Sequence, residues 1–451
     1  MALGKRKREE PGLWIATTEL AKSPGHPFYQ KLNGLLAQAK FDSWIEERCQ
    51  PYYAAKLGRP SIPPGVYFRM ILIGYFEGIA SQLGIAWRCS DSRSLAEFLG
   101  IPLNERTPDH SSLSRVHGRL PLELHEEVFV FVLKLAADKK LLKGKTVGVD
   151  STTLEANAAM KSIERKDTGE DWKEYLTRLA NEAGIENPTD EELRRFDKSR
   201  SDKKVSNEQW ESPTDPDSRI AKMKDGTTHL AYKAEHVVDL DSEFVLSATI
   251  TSAHHSDAES MVDSVVQAQM NLEAAGSEAK IKDVAADKGY HKASTLELAD
   301  AFEFRTYVPE PKRRYRYRWI DKAAGQQEAV YANRRRVRGQ RSKRLQRQRS
   351  EKVERTFAHV CETGGARRTW LRGLEKVSKR YLIQVAARNL GLILRKLFGI
   401  GTAKSLQGLA GLFWSLYFAT EMLWSGIWAV SRTDVKMLRR PTFRSSAERS
   451  P

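Results

Sequence analysis

Residues 143–150 read KGKTVGVD and residues 281–290 read IKDVAADKGY. In the first, Thr146, Val147 and Val149 form a short β-rich run that ends at Asp150. In the second, Ile281–Ala286 is a strand that leads into Asp287. Ligands of open α/β sheets gather outside strand ends, so a carboxylate there is well placed for chemistry. Each aspartate alone also reads as an ordinary turn residue. Asp150 is followed by Ser151, Thr152 and Thr153, and Gly289 stands two residues after Asp287. Two such acids in one sheet say more than either does separately.

Working outward, LAYKAEHVVD (230–239) and EFVLSATIT (243–251) predict a β-hairpin turning at 240–242. Residues 257–274 predict a helix with Met261, Val265, Met270 and Leu272 on its apolar positions. A helix over 293–301, a strand over 304–308 and a helix from about 345 to 357 follow. Three strands, then helix, strand, helix, strand and helix predict an α/β fold, a mixed sheet flanked by helices. Residues 160–226 are polar, with helices expected near 170–180 and 190–197, and Pro213, Pro216 and Gly226 break the chain. They read as an insertion between strands.

Residues 27–135 predict an all-α region. Phe28, Leu32, Leu35 and Leu36 keep helical spacing, and GRPSIPP (58–64) stops one helix and starts the next. Thr107-Pro108-Asp109 is a helix start, with Thr107 as the expected cap. Several short helices with tight turns fit a helix-turn-helix-like module. The expected organisation is therefore a basic, flexible N-terminus (1–25), a helical, helix-turn-helix-like domain (26–140), an α/β domain (141–400) and an apolar, Trp-rich tail (401–451).

The 451 residues carry 74 Lys and Arg against 58 Asp and Glu, a formal charge of +16. That field attracts polyanions without choosing among DNA, RNA and anionic membrane. Residues 311–380 hold about 23 of the basic residues and about 6 acids, so the charge is a patch. Tyr315, Tyr317, Trp319, Val353 and Phe357 interrupt it, unlike a plain solvated run. Cys49, Cys89 and Cys361 lie far apart with no CxxC spacing, against a disulfide framework or zinc knuckle and in favour of a reducing, cytoplasmic setting. The charged start GKRKREE is no secretory signal. Residues 405–430 are apolar enough to raise a membrane span, but Glu421 interrupts them and a packed or partly disordered tail is the preferred reading.

Phosphodiester chemistry by two divalent cations needs a few carboxylates converging from separate elements. Asp150 and Asp287 supply two. The basic helix offers Glu351 and Glu354. Glu351 has Arg347 and Arg355 at i−4 and i+4, so surface ion pairs explain it. Glu354 has Ser350 and Ala358 at those positions and is the preferred third acid.

The segments GVDSTTLEANAA (148–159), AADKGYH (285–291) and SEKVERTFAHVCETGGARRTWLRGLEKV (350–377) resemble bacterial insertion-sequence transposases with an aspartate-aspartate-glutamate triad. GRPSIPPGVYFRMILIGYFEGI (58–79) and TPDHSSLSR (107–115) resemble the helical domain that precedes their catalytic domain. The resemblance covers roughly residues 25–400. It implies a ribonuclease-H-like fold, with Asp150, Asp287 and Glu354 as catalytic and metal-binding residues and two Mg²⁺ or Mn²⁺ ions. It further implies strand cleavage at the element's ends and strand transfer into target DNA. The family's last motif often reads Tyr, two residues, Arg, three residues, Glu, six residues, Lys. Counted from Glu354, Ser350 and Cys361 stand at the Arg and Lys positions. Counted from Glu351, Arg347 fits, but Arg344 and Ala358 replace Tyr and Lys.

Lys288, Tyr290, Arg347, Arg355, Arg367 and Arg368 are the expected contacts to double-stranded DNA, both terminal inverted repeats and target. His254 and His255 are adjacent, have no third ligand near, and read as loop residues. Cutting two ends implies a homodimer or larger assembly. A DNA-end-binding repressor derived from a transposase, and a metal-dependent nuclease, are the alternative functions.

Overall fold

The computed structural model describes residues 25–403 except 55–57, 59, 103, 202–205, 224–225, 313–318 and 320–322. The chain divides into two compact units, 1–401 and 402–451, and the architecture below is that of the first. The apolar stretch 405–430 and the aromatic residues Tyr315 and Tyr317 lie outside the described residues.

Among the described residues seven α-helices precede the first strand. They are α1 (Pro27–Gln38), α2 (Phe41–Cys49), α3 (Pro64–Glu77), α4 (Gln82–Asp91), α5 (Arg93–Phe98), α6 (His110–Arg119) and α7 (Leu122–Asp138). Phe28, Leu32, Leu35 and Leu36 are buried on α1, as their spacing predicts. α3 is buried nearly all round and ends at Gly78, whose φ of 72° only glycine adopts without strain. α6 is capped by Asp109, which accepts the Ser112 N–H at 2.8 Å, rather than by Thr107. No single helix among the described residues is long and apolar enough to cross a membrane.

The first strand, β1, spans Thr146–Glu155. The segment expected as an insertion follows, with β2 (Glu164–Arg165), α8 (Trp172–Glu182), α9 (Asp190–Ser199) and β3 (Trp210–Glu211). Capping boxes start both helices, Asp171 with Glu174 and Thr189 with Glu192. β2 and β3 pair with each other, and Leu176, Ala180 and Leu193 form a small core packed by Trp172, Tyr175, Ile185 and Phe196. The end of the expected insertion is different. Residues 219–222 form β4 (Arg219–Lys222), which joins the main sheet.

Then come β5 (Thr228–Asp239), β6 (Val245–Ser252), α10 (Asp257–Ala274), β7 (Asp283–Ala286), α11 (Ala293–Ala301), β8 (Arg305–Tyr307), α12 (Ala324–Val337), α13 (Gln340–Phe357) and α14 (Leu374–Phe398). The sheet runs β4–β5–β1–β7–β8, with β6 also on β5. β5 is antiparallel to β1, while β7 and β8 run parallel to it. This is the mixed sheet that the resemblance implies.

Alternation along β1 sorts its side chains to two faces. Gly148 and Asp150 face α13: a β-carbon on Gly148 would lie 3.0 Å from Val353 and 3.2 Å from Arg349. Ser151, one residue on, reaches α10 through Asp257. α14 packs against α3, α7 and β6, so the helices and the sheet share one core. Its buried Asn389 accepts the Val245 N–H at 3.1 Å and donates to the Val245 carbonyl at 2.8 Å.

Candidate active site

β1 and β7 pair in parallel through Val149 and Ala286, and the next residue on each is an aspartate. β7 ends there, and Lys288–Tyr290 form a single 3₁₀ turn. β1 does not end at Asp150, as its sequence suggested. On its other side it stays paired with β5 as far as Glu155, Asp150 standing opposite His236. The β-branched Thr152 and Thr153, which fitted a turn after Asp150, suit a strand equally well. Asp150 therefore marks the end of pairing on the β7 side only.

Arg349 of α13 donates to Asp150 Oδ2 at 2.6 Å, and the Ser151 N–H donates to Oδ1 at 2.9 Å. Burial pushes the Asp150 carboxyl above its ordinary range. Arg349 and the Ser151 N–H pull the other way, and the nearby charge of Asp287 adds to the rise. Asp287 itself is exposed.

Glu354 is exposed on α13 and accepts the Ser350 hydroxyl at 3.1 Å. Gln346, Ser350 and Glu354 follow at every fourth position and so form one stripe. The start of that stripe touches the strand ends, because Gln346 donates to the carbonyls of Ala286 (3.2 Å) and Tyr307 (2.6 Å). Glu351 is ion-paired to Arg355 at 2.5 Å, as its i+4 spacing suggested. The structure thus brings Asp150 and Asp287 together and leaves Glu354 on the solvent side of the adjoining helix. Among the described residues no three His, Cys, Asp or Glu side chains converge closely enough to hold a metal ion. The Asp150–Asp287 pair still fits Mg²⁺ or Mn²⁺, which take one or two protein carboxylates and fill the rest with water and phosphate.

The expected DNA contacts divide. Lys288, Arg347 and Arg368 are exposed. Tyr290 is not a surface residue. It is 1% exposed and donates to Glu235 at 2.9 Å. Arg355 is engaged by Glu351 and Glu243, and Arg367 by Glu362, Thr152 and the Thr153 carbonyl. Both are thus bonded within the fold and still partly exposed. His254 and His255 sit in an exposed turn between β6 and α10.

Four groups beside the site escaped the sequence reading: Arg349, Lys233, Glu235 and Asp257. Arg349 sat within a basic run that hid it. Lys233 and Glu235 carried a signal, being charges at alternate positions of a β-rich run.

A family model described as Transposase domain (DUF772) matches residues 18–119. A second, described as Transposase DDE domain, matches residues 188–390. The chain belongs to the DDE transposases. The second match contains Asp287 and Glu354, and β1 with Asp150 precedes it. Searches of curated proteins and of solved structures return no match. As a DDE transposase the chain has a ribonuclease-H-like sheet, is of a nucleic-acid-cleaving enzyme family and acts on DNA.

Proposed function

We propose that this transposase cleaves DNA at the ends of an insertion sequence and joins the freed 3′-hydroxyl to target DNA. In this reading Asp150 and Asp287 are the two strand-borne acids of the site, and Glu354, exposed on α13, is the third. The observation that carries this reading is the juxtaposition of Asp150 and Asp287 at the end of the β1–β7 pairing. Those two carboxylates, completed by Glu354 from α13, would hold two Mg²⁺ or Mn²⁺ ions. Such ions, when bound, stabilise the attacking and leaving oxygens of an in-line displacement.

The chain's own residues orient the substrate. Asp150 is fixed by Arg349 and by the strand, while Asp287 stands free at the rim. Lys288, Arg347 and Arg368 take phosphate contacts, so binding weakens steeply with salt. Residues 26–140 supply recognition of the repeats. On α6, Ser111, Ser114, Arg115, Gly118 and Arg119 are exposed, and a helix of that size enters a major groove. Two ends cut together call for a homodimer or larger assembly, working on chromosomal DNA at the nucleoid.

The test uses the full chain, Mg²⁺ and labelled DNA carrying the flanking repeats, beside D150A, D287A, E354A and E351A. Cleavage at the repeat boundary that is lost in the first three and kept in E351A supports the assignment. Cutting without joining leaves a nuclease. Specific binding with no metal-dependent cutting leaves an end-binding repressor.

A further inference from the structure

Ser151 follows Asp150, and Tyr290 lies three residues after Asp287. Each gives its hydroxyl to a carboxylate on the α10 side of the sheet. Ser151 Oγ donates to Asp257 Oδ1 at 2.7 Å, and Tyr290 Oη donates to Glu235 Oε2 at 2.9 Å. The two acceptors belong to a single polar layer. Glu235 is 3% exposed, and it also accepts from Ser260 at 2.9 Å and from Ser264. Lys233, two residues earlier on the same face of β5, pairs with Asp257 at 2.5 Å and donates to the His255 carbonyl at 2.8 Å. Asp257 also borders the 3₁₀ turn, since a β-carbon on Gly289 would lie 3.3 Å from its Oδ2.

Burying Glu235 is costly, and its carboxyl is pushed above the ordinary range by desolvation. Three hydroxyl donors compensate. A core built only for stability would place apolar side chains here at lower cost. What the polar layer provides is direction: it fixes the chain just after each candidate metal-binding aspartate.

We propose that Glu235 and Asp257 are positioning residues that act through Tyr290 and Ser151. Together they set the separation of Asp287 and Asp150. This rests on the assignment of those aspartates made above. The acids of the layer do not touch substrate; they hold two hydroxyl tethers, one for each strand.

The test deletes each tether singly, with Y290F and S151A in the full chain, and S151T as the variant that keeps a hydroxyl. Turnover and KM are measured on repeat-end DNA, Mn²⁺ binding by electron paramagnetic resonance of the free ion, and folding by thermal melting. A misplaced catalytic group costs about 10- to 100-fold in rate. The expected result is a loss of that size in turnover for Y290F and S151A, with KM for DNA within about twofold and Mn²⁺ binding weakened about tenfold. S151T restores part of the turnover lost in S151A.

Wild-type turnover and Mn²⁺ affinity in Y290F and S151A overturn the proposal. So does a parallel loss of turnover, DNA binding and melting temperature that S151T shares, which marks the layer as structural only. If the parent chain cuts no DNA, the assignment under Proposed function fails instead. Mn²⁺ binding then decides the present one, and unchanged binding in both deletions overturns it.

Discussion

Asp239 and Asp283 lie beside the start of β1, Asp150 and Asp287 where its pairing with β7 ends, and their surroundings differ in kind. Asp239 is fully buried and accepts the backbone N–H groups of Lys143, Gly144 and Asp241 at 2.9–3.0 Å, with the Ser242 hydroxyl besides. Asp283 is equally buried and paired with Arg305 at 2.9 Å and with Arg341. At the far end Asp150 has one cation and one N–H, and Asp287 faces solvent. By sequence all four are aspartates at or near strand ends. The accounting of their donors separates acids that complete the fold from acids still able to bind something else.

The largest expected contrast follows from this. D287N should melt like the parent and cleave at least about 10³-fold more slowly, since removing one member of a catalytic set costs that much or more. D239A should do the reverse, losing about 3–5 kcal/mol in urea denaturation because buried donors are left unmatched. A D287N variant that unfolds, or a D239A variant with the parent's midpoint, breaks the comparison.

Asp150 stands between these extremes, and Arg349 is why. Arg349 is 9% exposed, and among the described residues its guanidinium bonds to Gln346 and Asp150. R349M keeps the bulk and removes the charge, leaving a half-buried carboxylate with the Ser151 N–H and no cation. A loss of about 3 kcal/mol is expected. The added D150N change should recover part of it, because the half-buried group is then neutral. Additive losses in that double-mutant cycle would mean that the pair does not interact.

Close approach of α13 to β1 is what lets Arg349 reach. Gly148 permits it, since a β-carbon there would meet Leu240 at 2.8 Å, Val353 at 3.0 Å and Arg349 at 3.2 Å. G148A should cost about 1–3 kcal/mol by overpacking. It should also slow cleavage by moving Asp150. A variant as stable and active as the parent would show that the helix yields freely.

Much of this sheet was legible because strands obey period two and helices a period near 3.6. The runs 230–239 and 243–251, and the helices 257–274 and 293–301, fall almost where those periods put them. Asp150 and Asp287 could be picked out for the same reason, as the residues that follow a β-rich run. Their neighbours could not. Arg349 is 199 positions from Asp150, and Asp257 is 106 from Ser151, so only the tertiary fold unites them. Tyr290 was expected at the DNA surface, yet the sheet buries the ring and turns its hydroxyl onto Glu235. The sequence pattern likewise gave no hint that α14 would carry buried Arg380, Gln384, Arg388 and Asn389 into the core. Such groups are tolerated because carbonyls of distant loops accept from them, Gly364 for Gln384 and Ile79 for Arg380.

The smallest effect tests the floor beneath Asp150. His236, its cross-strand partner, is fully buried, stacked on Phe357 at 4.2 Å and bonded to Thr356 (2.8 Å) and Tyr381 (2.9 Å). Burial lowers its pKa from 6.5 to about 3. In the helical region His117 and His125 are lowered to about 3 and about 4, again mainly by burial. The unfolded chain takes up these protons as pH falls below 6.5, while the folded chain does not. The stability is therefore complete above that value and is lost on acidification toward the folded values. Each histidine contributes a loss of about 1 kcal/mol over the first pH unit below 6.5. H236Q keeps polar contacts without a titrating ring, so the acid-induced fall in its urea midpoint should be shallower than the parent's by one histidine's share. If the two curves stay parallel from pH 6.5 downward, His236 is not held neutral and the floor under Asp150 is wetter than its burial implies.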